Sequence, residues 1–127
     1  MAAADTNVLV RLIVRDDEVQ TARADAFIAR GGIWISHVVL VETIWVLRSI
    51  YRFDHAQLVT VVQMLLDLGN IIIDDAEVVA AALEQYRREP AIGFADCLIL
   101  ELARTAGQLP LGTLDNGLGR LEGATRL

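Results

Sequence analysis

Short apolar runs alternate with longer segments of helical spacing along the whole chain. The short runs predict strands, and the longer segments predict helices. The predicted strands are Ala2–Ala4, Ile33–Ile35, Ile71–Ile73 and Leu109–Leu114, with Ala124–Leu127 as a short last strand. The predicted helices are Asn7–Val14, Val19–Arg30, Val38–Tyr51, His55–Leu68, Asp74–Glu89 and Phe94–Ala106. Because strands and helices alternate, the pattern predicts an α/β fold with a central parallel sheet of four or five short strands flanked by helices.

Residues that start or stop helices lie at the predicted boundaries. Ser36 and Asp54 are suited to cap the two helices that follow them. The helix before the second strand has Ala22, Ala26 and Phe27 on one face, and Gly31 and Gly32 stop it. The chain has no repeats, no low-complexity segment and no linker, so we expect a single domain over residues 1–127.

The composition is unusually apolar, with 54% hydrophobic residues and a mean hydropathy of +0.45. This favours a sheet buried on both faces and leaves apolar surface for a homodimer or a tightly held partner. No apolar stretch reaches the roughly 18 to 20 residues that span a membrane, and the N-terminus does not resemble a signal peptide. The single cysteine, Cys97, cannot form an internal disulfide, which fits the cytoplasm.

The net charge of −6 at first argues against a nucleic-acid partner. However, all 11 basic residues are arginine, which contacts phosphate in a bidentate manner, and acids clustered on a divalent metal would not repel phosphate. The absence of lysine excludes a normal P-loop ATPase, a receiver domain and a haloacid-dehalogenase-type phosphatase. No GxGxxG segment follows a strand, so a dinucleotide site has no support.

Four acidic residues stand at positions where an acid calls for explanation. Asp5 and Asp115 each follow a predicted strand, although a helix cap and an Asp-Asn-Gly turn would also explain them. Glu42 lies in the apolar segment HVVLVETIWVL, which predicts a buried carboxylate that needs a partner, a buried arginine being the alternative. Asp96 lies in the first turn of an apolar helix, where the helix dipole also favours an acid.

The predicted topology brings these four acids to the carboxyl ends of the parallel strands, where α/β folds place their functional sites. Carboxylates about 5 Å apart repel by roughly 3 kcal/mol per pair at an effective dielectric constant of 20. A hard divalent cation converts this repulsion into attraction. The sequence therefore predicts a site for Mg²⁺ or Mn²⁺.

The segments that carry these acids resemble the four acidic motifs of PIN domains over essentially the whole chain. The matching segments are DTNVLVRL with Asp5, VETIWVLRS with Glu42, FADCLILELA with Asp96 and TLD with Asp115. The first two resemble the VapC branch, the toxins of bacterial toxin–antitoxin pairs. Two positions depart from the family pattern: Ile92-Gly93-Phe94 stands where many relatives carry another acid, and Asn116 stands where a basic residue is common.

The resemblance implies a Mg²⁺- or Mn²⁺-dependent endoribonuclease that hydrolyses RNA by in-line attack of water. It implies that Asp5, Asp96 and Asp115 are metal ligands and that Glu42 binds a second ion or orients the water. It assigns supporting roles to Thr6, Asn7 and Thr113. The candidates for contacts with RNA or an acidic partner are Arg11, Arg15, Arg48 and Arg52. It further implies a homodimer and a small antitoxin that covers the acidic crevice.

Two other functions remain open at this stage. The chain could be a catalytically idle PIN fold that serves as a binding or regulatory module. It could also be a metal-dependent phosphatase of small molecules, which the missing lysine disfavours. His37 and His55 lack metal-ligand spacing, Cys97 is expected in the core, and Trp34 and Trp45 are expected in the core or at a dimer contact.

Overall fold

Five short strands and six α-helices alternate along the chain, which confirms the predicted α/β class. The structure, a computed structural model, describes residues 1–127. It divides into two compact units, Met1–Ala76 and Glu77–Leu127. The strands are β1 (Ala2–Ala3), β2 (Ile33–Ile35), β3 (Ile71–Ile73), β4 (Leu111–Thr113) and β5 (Ala124–Arg126). The helices are α1 (Thr6–Val14), α2 (Glu18–Ile28), α3 (His37–Ser49), α4 (His55–Asp67), α5 (Ala76–Arg88) and α6 (Phe94–Thr105).

The strands are hydrogen-bonded as a set of three and a pair. In the first unit the order is β1-β2-β3, and in the second unit β4 pairs with β5. Every pairing is parallel, as the alternation of strands and helices predicts. A short 3-10 helix at Leu118–Arg120, which the sequence pattern did not indicate, precedes β5.

The three-stranded sheet has one buried and one partly exposed face. The first and last residues of β2 and of β3 are buried, whereas the central residues Trp34 and Ile72 are 38% and 46% exposed. Trp34 is in register with Ala3 on one side and Ile72 on the other, so these residues share one face. The prediction of burial on both faces was therefore wrong, because an apolar run of three residues does not determine whether each face is covered.

Side chains cap four helices of the first unit. Asp5, Asp17, Ser36 and Asp54 each accept a hydrogen bond from the backbone N–H three residues later, at 2.8–3.2 Å. At α4 the cap is reciprocal, because the Gln57 side chain accepts a bond from the Asp54 N–H at 2.8 Å. The predicted caps at Ser36 and Asp54 are confirmed.

The buried face of α2 is not the one that Ala22 and Ala26 share. Thr21 and Ala24 are buried, whereas Ala22 and Ala26 are exposed. Because α2 is weakly amphipathic, its small residues carry little information about which face packs inward.

In the second unit, Cys97 is fully buried in α6, and Tyr86 packs edge-on against Phe94 with ring centroids 5.8 Å apart. Burial raises the pKa of the Cys97 thiol to about 11, so it stays protonated at neutral pH and is a poor nucleophile. Cys97 is thus a core residue, as expected. None of the helices has both the length and the apolar content needed to cross a membrane.

Candidate functional site

Asp5 lies where β1 ends and α1 begins. Its Oδ1 accepts a hydrogen bond from the Val8 N–H at 3.1 Å and so caps the helix. The side chain is exposed, and Oδ2 has no hydrogen-bond partner in the protein. The structural explanation and the functional one are therefore compatible, since one oxygen caps the helix while the other remains available to a cation.

Glu42 lies in the second turn of α3 and is exposed, so the prediction that it is buried was wrong. It forms no ion pair, which also removes the alternative of a buried arginine partner. The helix buries the face that contains Leu40, Thr43, Ile44 and Leu47. Its opposite face carries Val38 and Trp45, which are 73% and 61% exposed. The apolar residues around Glu42 in the sequence are therefore partly surface residues.

Asp96 is the third residue of α6 and is partly buried. Burial raises the pKa of its carboxyl group, and the negative charge of Asp115 raises it further. The second cause means that these two carboxylates are close enough to repel each other. Such repulsion is the condition that a bound divalent cation relieves.

Asp115 follows β4 and begins the turn into the 3-10 helix. Its Oδ2 accepts a hydrogen bond from the Leu118 N–H at 2.7 Å, and its own N–H donates to the Thr113 hydroxyl at 3.0 Å. Thr113 thus orients Asp115, as a supporting residue would. The turn explanation is also correct, so Asp115, like Asp5, combines a local structural role with an exposed carboxylate.

Each of the two compact units contains two of the four acids. In the first unit, Asp5 leaves β1 and the helix with Glu42 leaves β2, at the same edge of the parallel sheet. In the second unit, Asp96 and Asp115 interact electrostatically. No group of three or more His, Cys, Asp or Glu side chains is placed to hold a metal ion. The chemistry of the donors nevertheless fits Mg²⁺ or Mn²⁺, because all of them are hard carboxylate oxygens.

Asp96→Asn is expected to leave the metal-free protein as stable as the wild type, or more stable, at pH 7. A carboxyl group whose pKa is raised in the folded state makes the free energy of unfolding fall as the pH rises through that pKa. Asparagine does not ionise, so the advantage of the variant shrinks as the pH falls below the pKa of Asp96. Thermal melts between about pH 4 and pH 7 measure this difference. A large loss of stability in the variant without metal would make Asp96 a structural residue.

Two of the arginines expected to contact RNA are engaged within the protein. Arg11 forms an ion pair with Asp16 and also donates to the Tyr51 hydroxyl at 3.4 Å. Arg15 holds both carboxylate oxygens of Asp25, at 3.0 and 2.6 Å, and so ties the end of α1 to α2. Arg48 is exposed and forms no ion pair. Arg15 therefore has a structural partner that would compete with any ligand.

A cleft between α1 and α2 opens beside Asp5. Its volume is about 380 Å³, and it is lined by Asp5, Asn7, Val8, Arg11, Gln20, Arg23, Ala24 and Phe27. Of the predicted supporting residues, Asn7 lines this cleft, whereas Thr6 is buried. Arg23 was not predicted as a functional residue, although its spacing from Gln20 and Phe27 places all three on one face of α2.

The histidines show no sign of a metal role. The Nε2 of His37 is hydrogen-bonded to the backbone oxygen of Asp74 at 2.6 Å, which links α3 to the end of β3. His55 is the first residue of α4. The contact with Asp74 supports the structural interpretation of His37.

No curated protein and no solved structure gives a match to this chain. The family model of the PIN domain, by contrast, matches residues 2–124. This match contains all four acids, the whole of the three-stranded sheet and strand β4. The chain therefore belongs to the PIN-domain family.

Proposed function

We propose that this chain is a single-domain, metal-dependent endoribonuclease that hydrolyses RNA phosphodiester bonds. The PIN domain is a nuclease fold, so the class of activity follows from the family. The observation that carries the proposal is that the family match includes Asp5, Glu42, Asp96 and Asp115, each at the end of a strand or in an early turn of a helix. Carboxylates at such positions are suited to bind a hard cation and meet a phosphate.

In this proposal Asp5, Asp96 and Asp115 would hold Mg²⁺ or Mn²⁺, and Glu42 would bind a second ion or orient the attacking water. A divalent metal bound there would supply positive charge for the phosphate and would activate water. Glu42 is exposed and free of ion pairs, so its carboxylate can orient the attacking water and accept its proton. Thr113 keeps Asp115 in position, because its hydroxyl accepts a hydrogen bond from the Asp115 backbone N–H.

The toxin role and its partners belong to the same proposal. The DTNVLVRL and VETIWVLRS segments support the VapC-like branch, which implies a toxin of the cytoplasm and a cognate antitoxin. A basic antitoxin side chain that reaches the acids would keep the enzyme inactive. The exposed Val38 and Trp45 support a protein partner or a homodimer, because large apolar side chains at the surface favour association.

A catalytically idle PIN fold is the second candidate, and one observation favours it. Asp5 caps a helix and Asp115 accepts a hydrogen bond within a turn, so these two acids could be retained for local structure alone. That explanation does not extend to Asp96, whose carboxylate is partly buried and repelled by Asp115. An idle module would have no reason to keep this unfavourable interaction.

The test is a comparison of two substrates. Purified protein with Mn²⁺ is incubated with a mixed RNA pool and, separately, with a small phosphomonoester. The ribonuclease proposal predicts RNA fragments and no release of inorganic phosphate from the monoester. Phosphate release without RNA fragments would identify a small-molecule phosphatase, and the absence of both products would favour the idle module.

A further inference from the structure

The cleft between α1 and α2 has a distinct polar wall. Along α2, Gln20, Arg23 and Phe27 face it at helical spacing, over about 10 Å of helix. Ala24 is 5% exposed and forms part of the floor. Asp5 lies in the opposite wall, at the start of α1. The cleft therefore adjoins one of the carboxylates proposed to bind the metal.

Arg23 is the available cation of this cleft. Arg11 also lines it, but its guanidinium is paired with Asp16 and bonded to Tyr51. Arg23 is exposed and forms neither an ion pair nor a side-chain hydrogen bond. A guanidinium without a carboxylate partner presents its donors to an incoming anion, and phosphate suits its planar fork.

Phe27 supplies an apolar surface next to Arg23. The two residues are four positions apart on α2, so their Cβ atoms are separated by roughly 5–6 Å. Phe27 is partly exposed and lines the cleft. Aromatic side chains beside a cation are the usual means by which proteins hold single-stranded nucleic acid, since every base offers a face for stacking.

We infer that this cleft binds one nucleotide of a single-stranded RNA substrate, with a phosphate on Arg23 and its base against Phe27. The inference rests on the proposed ribonuclease function and identifies the part of the surface that holds the strand beside Asp5. The cleft volume of about 380 Å³ is within the range of small-ligand sites. RNA accounts for both the cation and the aromatic ring, whereas an acidic peptide would require only the cation.

The test measures RNA affinity without cleavage. Fluorescence anisotropy follows a labelled single-stranded RNA titrated with the full chain carrying Asp96→Asn, at several salt concentrations. Arg23→Ala is expected to weaken binding about tenfold and to reduce the slope of log K against log salt by about 0.7, the loss of one phosphate contact. The matched control is Arg30→Ala, which removes an exposed arginine just beyond α2 and outside the cleft and should change binding less than about twofold.

Phe27→Leu tests the base contact. It should weaken RNA binding at least about fivefold while leaving the binding of an abasic strand unchanged. Equal effects of Arg23→Ala and Arg30→Ala on RNA affinity would overturn the inference. The inference would also be overturned if Phe27→Leu weakened the binding of the RNA and of the abasic strand equally. Binding of an acidic peptide that depends on Arg23 as strongly as RNA binding does would assign the cleft to a protein partner instead.

RNA binding and cleavage by the protein with Asp96 intact distinguish a failure of this inference from a failure of the proposed function. If that protein cuts RNA but Arg23→Ala binds and cuts as the wild type does, the cleft inference is wrong and the ribonuclease proposal stands. If the protein with Asp96 intact neither binds nor cuts RNA, both are wrong.

Discussion

Asp5→Asn is expected to reduce metal-dependent RNA cleavage by at least about 100-fold while leaving the stability of the protein unchanged. The amide oxygen of asparagine can accept the hydrogen bond from the Val8 N–H, and asparagine caps helices as well as aspartate does. The substitution therefore preserves the cap but removes the charge that would bind the metal. Initial rates with Mn²⁺, together with thermal melts, measure the two effects separately.

The chain offers a matched control for this substitution. Asp54 caps α4 through the same kind of bond, to the Gln57 N–H at 2.8 Å, and has no proposed role in the site. Asp54→Asn is expected to change the cleavage rate less than about twofold, as a surface substitution does. Equal rates for Asp5→Asn and the wild type would remove Asp5 from the site and reduce it to a helix cap.

Gly32→Ala is expected to lower the free energy of unfolding by about 3 kcal/mol, the largest stability effect that we predict. Gly32 has a φ of +85°, which residues with a Cβ rarely adopt. A Cβ at this position would also lie 2.7 Å from the backbone oxygen of Asn70. Because Gly32 directly precedes β2, relief of the clash would displace the strand that leads into α3.

Urea denaturation of Gly32→Ala beside Gly69→Ala measures this effect. Gly69 lies just before β3, and a Cβ there would meet no atom within 4 Å. Its substitution should change the free energy of unfolding by less than about 0.5 kcal/mol. If the two variants have the same stability, the close approach at Gly32 does not constrain the fold.

Most of the fold was predictable because its signals are local. The β-branched triplet Ile71–Ile73 and the caps at Ser36 and Asp54 need only neighbouring residues to be interpreted, and their elements were predicted to within one or two residues. The exposure of Trp34 and Ile72 was not predictable in this way. It depends on what covers each face of the sheet, and that is determined by residues far away in the sequence.

The candidate site likewise contains features that the sequence predicts and one that it does not. The positions of Asp5 and Asp115 after strands follow from the sequence pattern, but the exposure of Glu42 does not. An apolar stretch of helix can bury one side only, and the residues around Glu42 were mistaken for a fully buried helix.

The arginines illustrate the same limit. Arg15 has its partner Asp25 ten positions away on a different helix, so its engagement becomes visible only once α1 and α2 are packed. The role proposed for Arg23 depends on that same packing, because the cleft exists only between the two helices. The sequence alone predicts the acids of the site, while the structure shows which arginine of the cleft has no partner within the protein.

The most direct test of the central claim is RNA cleavage by one preparation of the wild-type protein, first in EDTA and then after Mn²⁺ is restored in excess. The account predicts no fragments in EDTA and the appearance of fragments once Mn²⁺ is available to the acids. Cleavage that proceeds equally in EDTA would contradict a metal-dependent nuclease, and a lack of cleavage in both conditions would favour the idle PIN fold.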